Sequence, residues 1–198
     1  RDKGTGVNST YYGGVGFQPD LVWVKGRSNG ESSISDVVRG ATNNLVAETT
    51  AAQDTGGNIV AFNPDGYTAS NSNRVNQSGR TIVAWNWDMG ANTPTGFKAV
   101  AYEGNAGVNT IRGVGFQPDL VWMKNREITA NHGLYDSLRG TGTDASFQPD
   151  NNTPEGSGSA NMNLTSFGKD GFSLGATSGT NQINYADDGH VAWCWDMG

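Results

Sequence analysis

Eight aspartates stand in matching places along this 198-residue chain: Asp20, Asp36, Asp65 and Asp88, then Asp119, Asp136, Asp170 and Asp196. Carboxylates at fixed positions can serve acid–base catalysis, metal ligation or hydrogen bonding to the chain itself. A glycosidase pair must face across a cleft at about 5 to 10 Å, and spacing in sequence does not establish that. Three of each four lie in or beside turn sequences, where Asp bonds its own backbone, so a structural role is expected. The two histidines, His132 and His190, fall opposite a polar loop residue and Ile82 in the other half. No Ser-His-Asp or metal-ligand spacing surrounds either. The reading is therefore of a non-enzyme, with no catalytic residue, no metal and no cofactor.

Two further sets recur. Asp36 with Arg39 and Asp136 with Arg139 could each present an Arg fork to a carboxylated sugar, or tie a loop to the scaffold. Recurrence favours the tie, because a scaffold needs its tie in every copy whereas a binding site can diversify. The same logic assigns Phe17, Trp23, Trp85 and Trp87, and Phe116, Trp122, Trp193 and Trp195, to the core and not to a sugar-stacking platform. Trp85 and Trp87 share one strand face at i, i+2. Cys194 replaces Asn86 on the opposite face and reads as a buried thiol; as the one cysteine, it can form no intrachain disulfide.

The elements that carry these residues come in two copies. The decapeptide GVGFQPDLVW runs from Gly14 to Trp23 and again from Gly113 to Trp122. Asp36–Gly40 then matches Asp136–Gly140, Phe62–Tyr67 matches Phe167–Phe172, and Val83–Gly90 matches Val191–Gly198. The offset grows from 99 to 108, through insertions in Gly-, Asn-, Ser- and Asp-rich stretches where surface loops absorb length. A repeat of about 100 residues exceeds a solenoid unit or propeller blade, so the Trp-Asp dipeptides are not propeller signatures. Within a copy, Leu21–Lys25 and Ile82–Trp87 are short β-branched and aromatic runs, and Gln-Pro-Asp, Pro-Asp-Gly and Lys-Asp-Gly supply turns. One helical turn is expected at Ile34–Arg39. The fold class is all-β: two tandem antiparallel β-sandwich, jelly-roll-like modules over 1–90 and 91–198. The second opens with a strand from Gly96 to Tyr102, whereas the first has only residues 1–13 before its decapeptide. An edge strand of the first is thus missing or supplied from elsewhere, and an open edge invites pairing with another chain.

Composition bounds the function. Twenty-nine glycines, 35% hydrophobic and 16% charged residues describe a folded, turn-rich chain. The formal charge of −6 offers no field for a phosphate backbone, so nucleic acid is not an expected partner. No apolar run approaches the roughly 18 residues of a membrane span, and no leader pattern opens the chain, so no membrane insertion is expected. The first residue is Arg, as in a processed, trimmed or partial product. The loops over 28–35, 41–57 and 70–79 share almost nothing with those over 127–133, 141–160 and 176–189, which makes them the place to look for specificity. Tyr135, Asn151, Asn152, Asn181 and Tyr185 are the expected glycan contacts.

The order GFQPDLVWxK, DxxRG, F-x-x-DGF and VAWCWDMG resembles a module repeated in virion proteins of tailed bacteriophages, especially tail-fibre and appendage proteins. In that family the module opens with a strand ending in Tyr-x-Gly-Asn, which Tyr102–Asn105 fits in the second copy only. The resemblance covers essentially the whole chain. It implies a structural or host-recognition component of a virus particle, located in the virion. The implied partners are other virion subunits, with a homo-oligomer expected, and a bacterial surface polysaccharide. Two other functions fit the residues: a capsid decoration or cement protein, and a secreted carbohydrate-binding module.

Overall fold

The computed structural model describes residues 2–28, 30–90, 96–157, 162–176 and 183–198. The chain forms two compact units, one of Arg1–Glu48 with Gln53–Asp88 and one of Thr49–Ala52 with Met89–Gly198. The first contains β1 (Asp2–Lys3), β2 (Thr10–Gly13), β3 (Leu21–Gly26), β4 (Ser33–Asp36), β5 (Ile59–Asn63), β6 (Gly66–Ala69) and β7 (Thr81–Trp87). The second contains β8 (Phe97–Glu103), β9 (Asn109–Arg112), β10 (Leu120–Asn125), β11 (Gly133–Asp136), β12 (Leu164–Gly168), β13 (Gly171–Leu174) and β14 (Gly189–Trp195), with a 3-10 turn at Thr143–Ala145. Each unit has a four-stranded sheet, β1-β7-β3-β4 or β8-β14-β10-β11, and a three-stranded one, β2-β6-β5 or β9-β13-β12. All pairings are antiparallel, and the register repeats: Trp23 faces Trp85 as Trp122 faces Trp193. The expected helical turn at Ile34–Arg39 is instead the end of β4 followed by a turn, because Ile34 is needed on the ladder opposite Trp23.

Strand alternation decides what is buried. Val22 and Val24 point into the first unit's core with Tyr12, Ile59, Tyr67 and Ile82. Val121, Met123, Ala192 and Cys194 do the same in the second, against Tyr135, Leu164 and Phe172. The tryptophans therefore lie on the other face of each four-stranded sheet. In the second unit that face is covered, with Trp193 at 0% and Trp122 at 8% exposure. In the first, Trp85 is 43% exposed, so its assignment to the core is corrected. Trp23, Trp87 and Trp195 are half-buried, as are Phe17 and Phe116. Burial pushes the Cys194 thiol far above its ordinary range.

The repeated decapeptide opens on a backbone clamp. Gly14 and Gly16 hold φ of 83° and 88°, and Gly113 and Gly115 hold 87° and 88°, the left-handed region that glycine enters at little cost. This turns two amides toward one carboxylate. Gly14 and Gly16 donate to Asp65 Oδ2 and Oδ1 at 3.0 and 2.6 Å; Gly113 and Gly115 donate to Asp170 at 3.3 and 2.7 Å. These bonds, the nearer glycine's first, hold both carboxyls below the usual range. Leu21–Trp23 and Leu120–Trp122 then enter strands in the middle of their sheets.

The units differ at one edge. Seven-residue β8 pairs along β14 from Phe97 to Glu103, whereas β1 pairs with β7 through Asp2 and Lys3 alone. Val100 and Tyr102 pack against the second unit's core from β8.

Candidate functional site

The Asp–Arg pairs form ties. Arg39 Nε donates to Asp36 Oδ2 at 2.7 Å and Arg39 Nη2 to the Ile34 carbonyl at 3.0 Å, with both side chains of the pair fully buried. The Arg39 amide also donates to Asp36 Oδ1, so the turn after β4 is closed by its own side chains. Arg139 repeats these bonds to Asp136, more exposed at 27% and 19%, and lies over the Phe147 ring.

A second recurring device escapes sequence comparison. Lys25 pairs with Glu48, whose carboxylate also accepts from the Ser32 amide and hydroxyl. In the second unit the Asp150 carboxylate accepts from the His132 amide at 2.9 Å and attracts Lys124. The acids come from loops with no visible likeness, so only the fold brings them into register. Burial pushes the Glu48 carboxyl up, but Lys25 and Ser32 outweigh it and leave it lowered. Burial raises Asp150 and brings Lys124 down to about 8.

The histidines are interior groups. His132 accepts from Trp122 Nε1 on Nδ1, so Nε2 carries the proton and donates to the Thr49 carbonyl at 3.1 Å. His190 stacks on Tyr102 at 5.0 Å, and burial lowers its pKa to about 4. Among the described residues, no group of three His, Cys, Asp or Glu side chains could hold a metal ion.

The expected glycan contacts differ in burial. Tyr135 is fully buried in the second unit's core, a correction that follows from its inward position on β11. Tyr185 is half-buried, and its carbonyl accepts from the Asp188 amide. Asn151 and Asn152 are exposed, and Asn181 lies outside the described residues.

The structure instead gathers residues in the first unit. A cleft of about 530 Å³ is lined by Gly30, Glu31, Asp54, Gly56, Asn58, Ser72, Asn73, Arg74 and Arg80. Three segments distant in sequence, around residues 31, 54 and 73, meet there. Arg74 joins them: Nη2 and Nε donate to Glu31 Oε2 at 2.5 and 2.9 Å, and Nη1 to Asp54 Oδ2 at 2.9 Å. Burial raises the Asp54 carboxyl, but the Asn44 amide, the Gly56 N–H and Arg74 outweigh it, and its pKa falls below the usual range. Burial lowers Arg74 while Asp54 and Glu31 raise it further. Among the described residues, no aliphatic or aromatic side chain lines the cleft. The signal in the sequence was the divergence of these loops from their counterparts; their convergence was not legible.

A family model described as a domain of unknown function, DUF7483, matches the chain twice, over residues 2–96 and 93–198. The chain belongs to the DUF7483 family. No curated protein and no solved structure matches it. The Asp–Arg tie and the Asp–Gly clamp occur in both DUF7483 modules, whereas the polar cleft is built from loops in which the modules differ.

Proposed function

We propose that this chain is a non-enzymatic structural component of a phage particle, a tail-fibre or appendage subunit that contributes to recognition of a host-surface glycan. The observation that carries the glycan part is the meeting of three divergent loops in one cleft, while the residues shared by the copies are engaged with backbone and core. The cleft falls within the size range of small-ligand sites, and its lining of amides, a hydroxyl, carboxylates and arginines matches a ligand rich in hydroxyls. Glu31 and Asp54 already occupy Arg74, which opposes an anionic sugar and favours a neutral one. Hydrolysis would need a carboxylic acid kept protonated near neutral pH, and Asp54 shifts the opposite way. The virion part rests on the ordered motifs and on the resemblance they carry.

A glycan array probed with the wild type and with Asn73→Ala tests the reading, since Asn73 is an exposed side chain of the cleft. The expected result is binding to neutral bacterial surface saccharides that the variant weakens several-fold. No binding to any saccharide would leave the decoration or cement role; binding without association with particles would support the secreted module.

A further inference from the structure

We propose that the open edge of β7 takes an extended strand from a partner polypeptide, one with an apolar side chain opposite Ala84 and a hydrogen-bond donor opposite Asn86. This inference does not depend on the glycan reading. The first observation is which backbone groups face that edge. The Trp87 and Thr81 carbonyls accept from the Asp20 and Arg27 amides on the β3 side, while the Arg80 carbonyl accepts from the Gly4 amide on the β1 side. Alternation along β7 therefore turns the N–H and C=O of Ile82, Ala84 and Asn86 away from β3. Asp2 pairs with Ile82, and among the described residues no strand pairs with Ala84 or Asn86 on that side. In the second unit the equivalent residues, Ala192 and Cys194, pair with Val100 and Lys98 of β8.

The second observation is the space beside the edge. A cavity of about 470 Å³ is lined by Ala84 and Asn86 together with Tyr12, Val15, Phe17 and Tyr67. Their counterparts in the repeat, Ala192, Cys194, Ile111, Val114, Phe116 and Phe172, form or pack against the second unit's core, to which β8 adds Val100 and Tyr102. Val114, Val191, Ala192 and Cys194 are buried, whereas Val15, Val83, Ala84 and Asn86 are half-buried. Two polar atoms set the cavity apart from its twin. Tyr67 Oη and Asn86 Oδ1 are buried and make no hydrogen bond among the described residues, and the second copy has Phe172 and Cys194 in their places. A buried acceptor without a partner costs free energy, which a strand with a donating side chain opposite Asn86 removes. Asp2 lines the same cavity and favours a basic donor. β8 carries this pattern, with Val100 opposite Ala192 and Lys98 opposite Cys194. When a peptide adds to a sheet edge, its main chain supplies affinity and the pockets for alternate side chains supply specificity.

The test is nuclear magnetic resonance of the isotope-labelled full-length protein with a capped peptide of the sequence Gly96–Ala101. Without peptide, the Ala84 and Asn86 amides should exchange with solvent about a hundredfold faster than those of Ala192 and Cys194. The peptide should slow both and shift the resonances of Val15 and Tyr67. In β8 the Gly96 carbonyl accepts from the Asp196 amide, so even-numbered residues face the paired strand. N-methylation of the peptide at Val100 should therefore weaken binding about tenfold through a lost hydrogen bond, whereas N-methylation at Ala99 should not. Val100→Asp and Lys98→Met in the peptide should each weaken it several-fold. These changes are all in the peptide, so the protein's own folding is untouched. Ala84 and Asn86 amides already protected without peptide would show the edge filled by the protein's own chain, and protection that rises with protein concentration would show it filled by a second copy; either overturns the proposal. So would the absence of binding at millimolar peptide, or equal effects of methylation at Val100 and Ala99. Asn73→Ala should leave peptide binding unchanged, which separates this inference from the glycan reading.

Discussion

Arg39 and Arg139 make the same bonds in different surroundings, and the difference has a measurable size. Lys in either place keeps the charge but loses the fork and the bond to the β4 or β11 carbonyl. Arg39→Lys is expected to lower unfolding free energy by about 2 kcal/mol, in the range of charged hydrogen bonds lost in a buried site. Arg139→Lys should cost less, because its pair is partly solvated. Urea denaturation without any saccharide measures both. His190 makes a pH prediction. Folded, it stays neutral down to about pH 4, because burial disfavours the imidazolium near Asp188, Lys124 and Glu127; unfolded, it protonates near 6.5. As pH falls from about 6.5 to 4, the unfolded state takes up its proton first and stability is lost, by at most about 3 kcal/mol. Replacing it by the residue the first copy uses, as His190→Ile, should flatten that part of the stability–pH curve in thermal melts. Asp65 and Asp170 act at lower pH: their lowered values add stability that is present above the ordinary carboxylate range and lost as pH falls below it.

At the scale of the element, the repeated residues were legible because each answers to a local demand of the backbone. Gly66 at φ 144° and Gly171 at φ 142° follow the clamping aspartates, and an added Cβ would lie 2.0 Å from the Tyr12 carbonyl oxygen or 2.1 Å from that of Ile111. Gly66→Ala and Gly171→Ala should each cost more than about 1 kcal/mol, readable as a lower melting temperature. The strand period also placed Trp85 and Trp193 on one face, but a period of two distinguishes faces and does not say which of them meets water. Trp193→Ala is expected to cost about 3 to 5 kcal/mol, and Trp85→Ala about 1 kcal/mol, for the tilted ring contact with Trp23. The Lys–acid pairs were illegible for another reason. Lys25 and Lys124 align within the repeat, but Glu48 and Asp150 sit in loops of different length and composition, and only the ladder bridges reveal the common offset.

For the whole molecule, the proposed function implies that duplication separates two jobs that a single module would combine. The shared residues close turns, clamp amides and fill two cores, and so must be kept in both copies. The loops are released from that duty, and in the first unit they converge on a polar cleft; the expectation of a contact at Tyr135 failed because sequence divergence marks a region as free without saying where its side chains go. On the proposed function, repetition builds the scaffold and divergence makes the binding site. Isothermal titration of an array-selected neutral oligosaccharide into the full chain tests it through the stoichiometry. One saccharide per chain, with affinity weakened by Asn73→Ala, is the predicted result; two equivalent sites per chain would place the binding on the repeated scaffold, and one that Asn73→Ala leaves untouched would place it outside the cleft, and either would contradict that division.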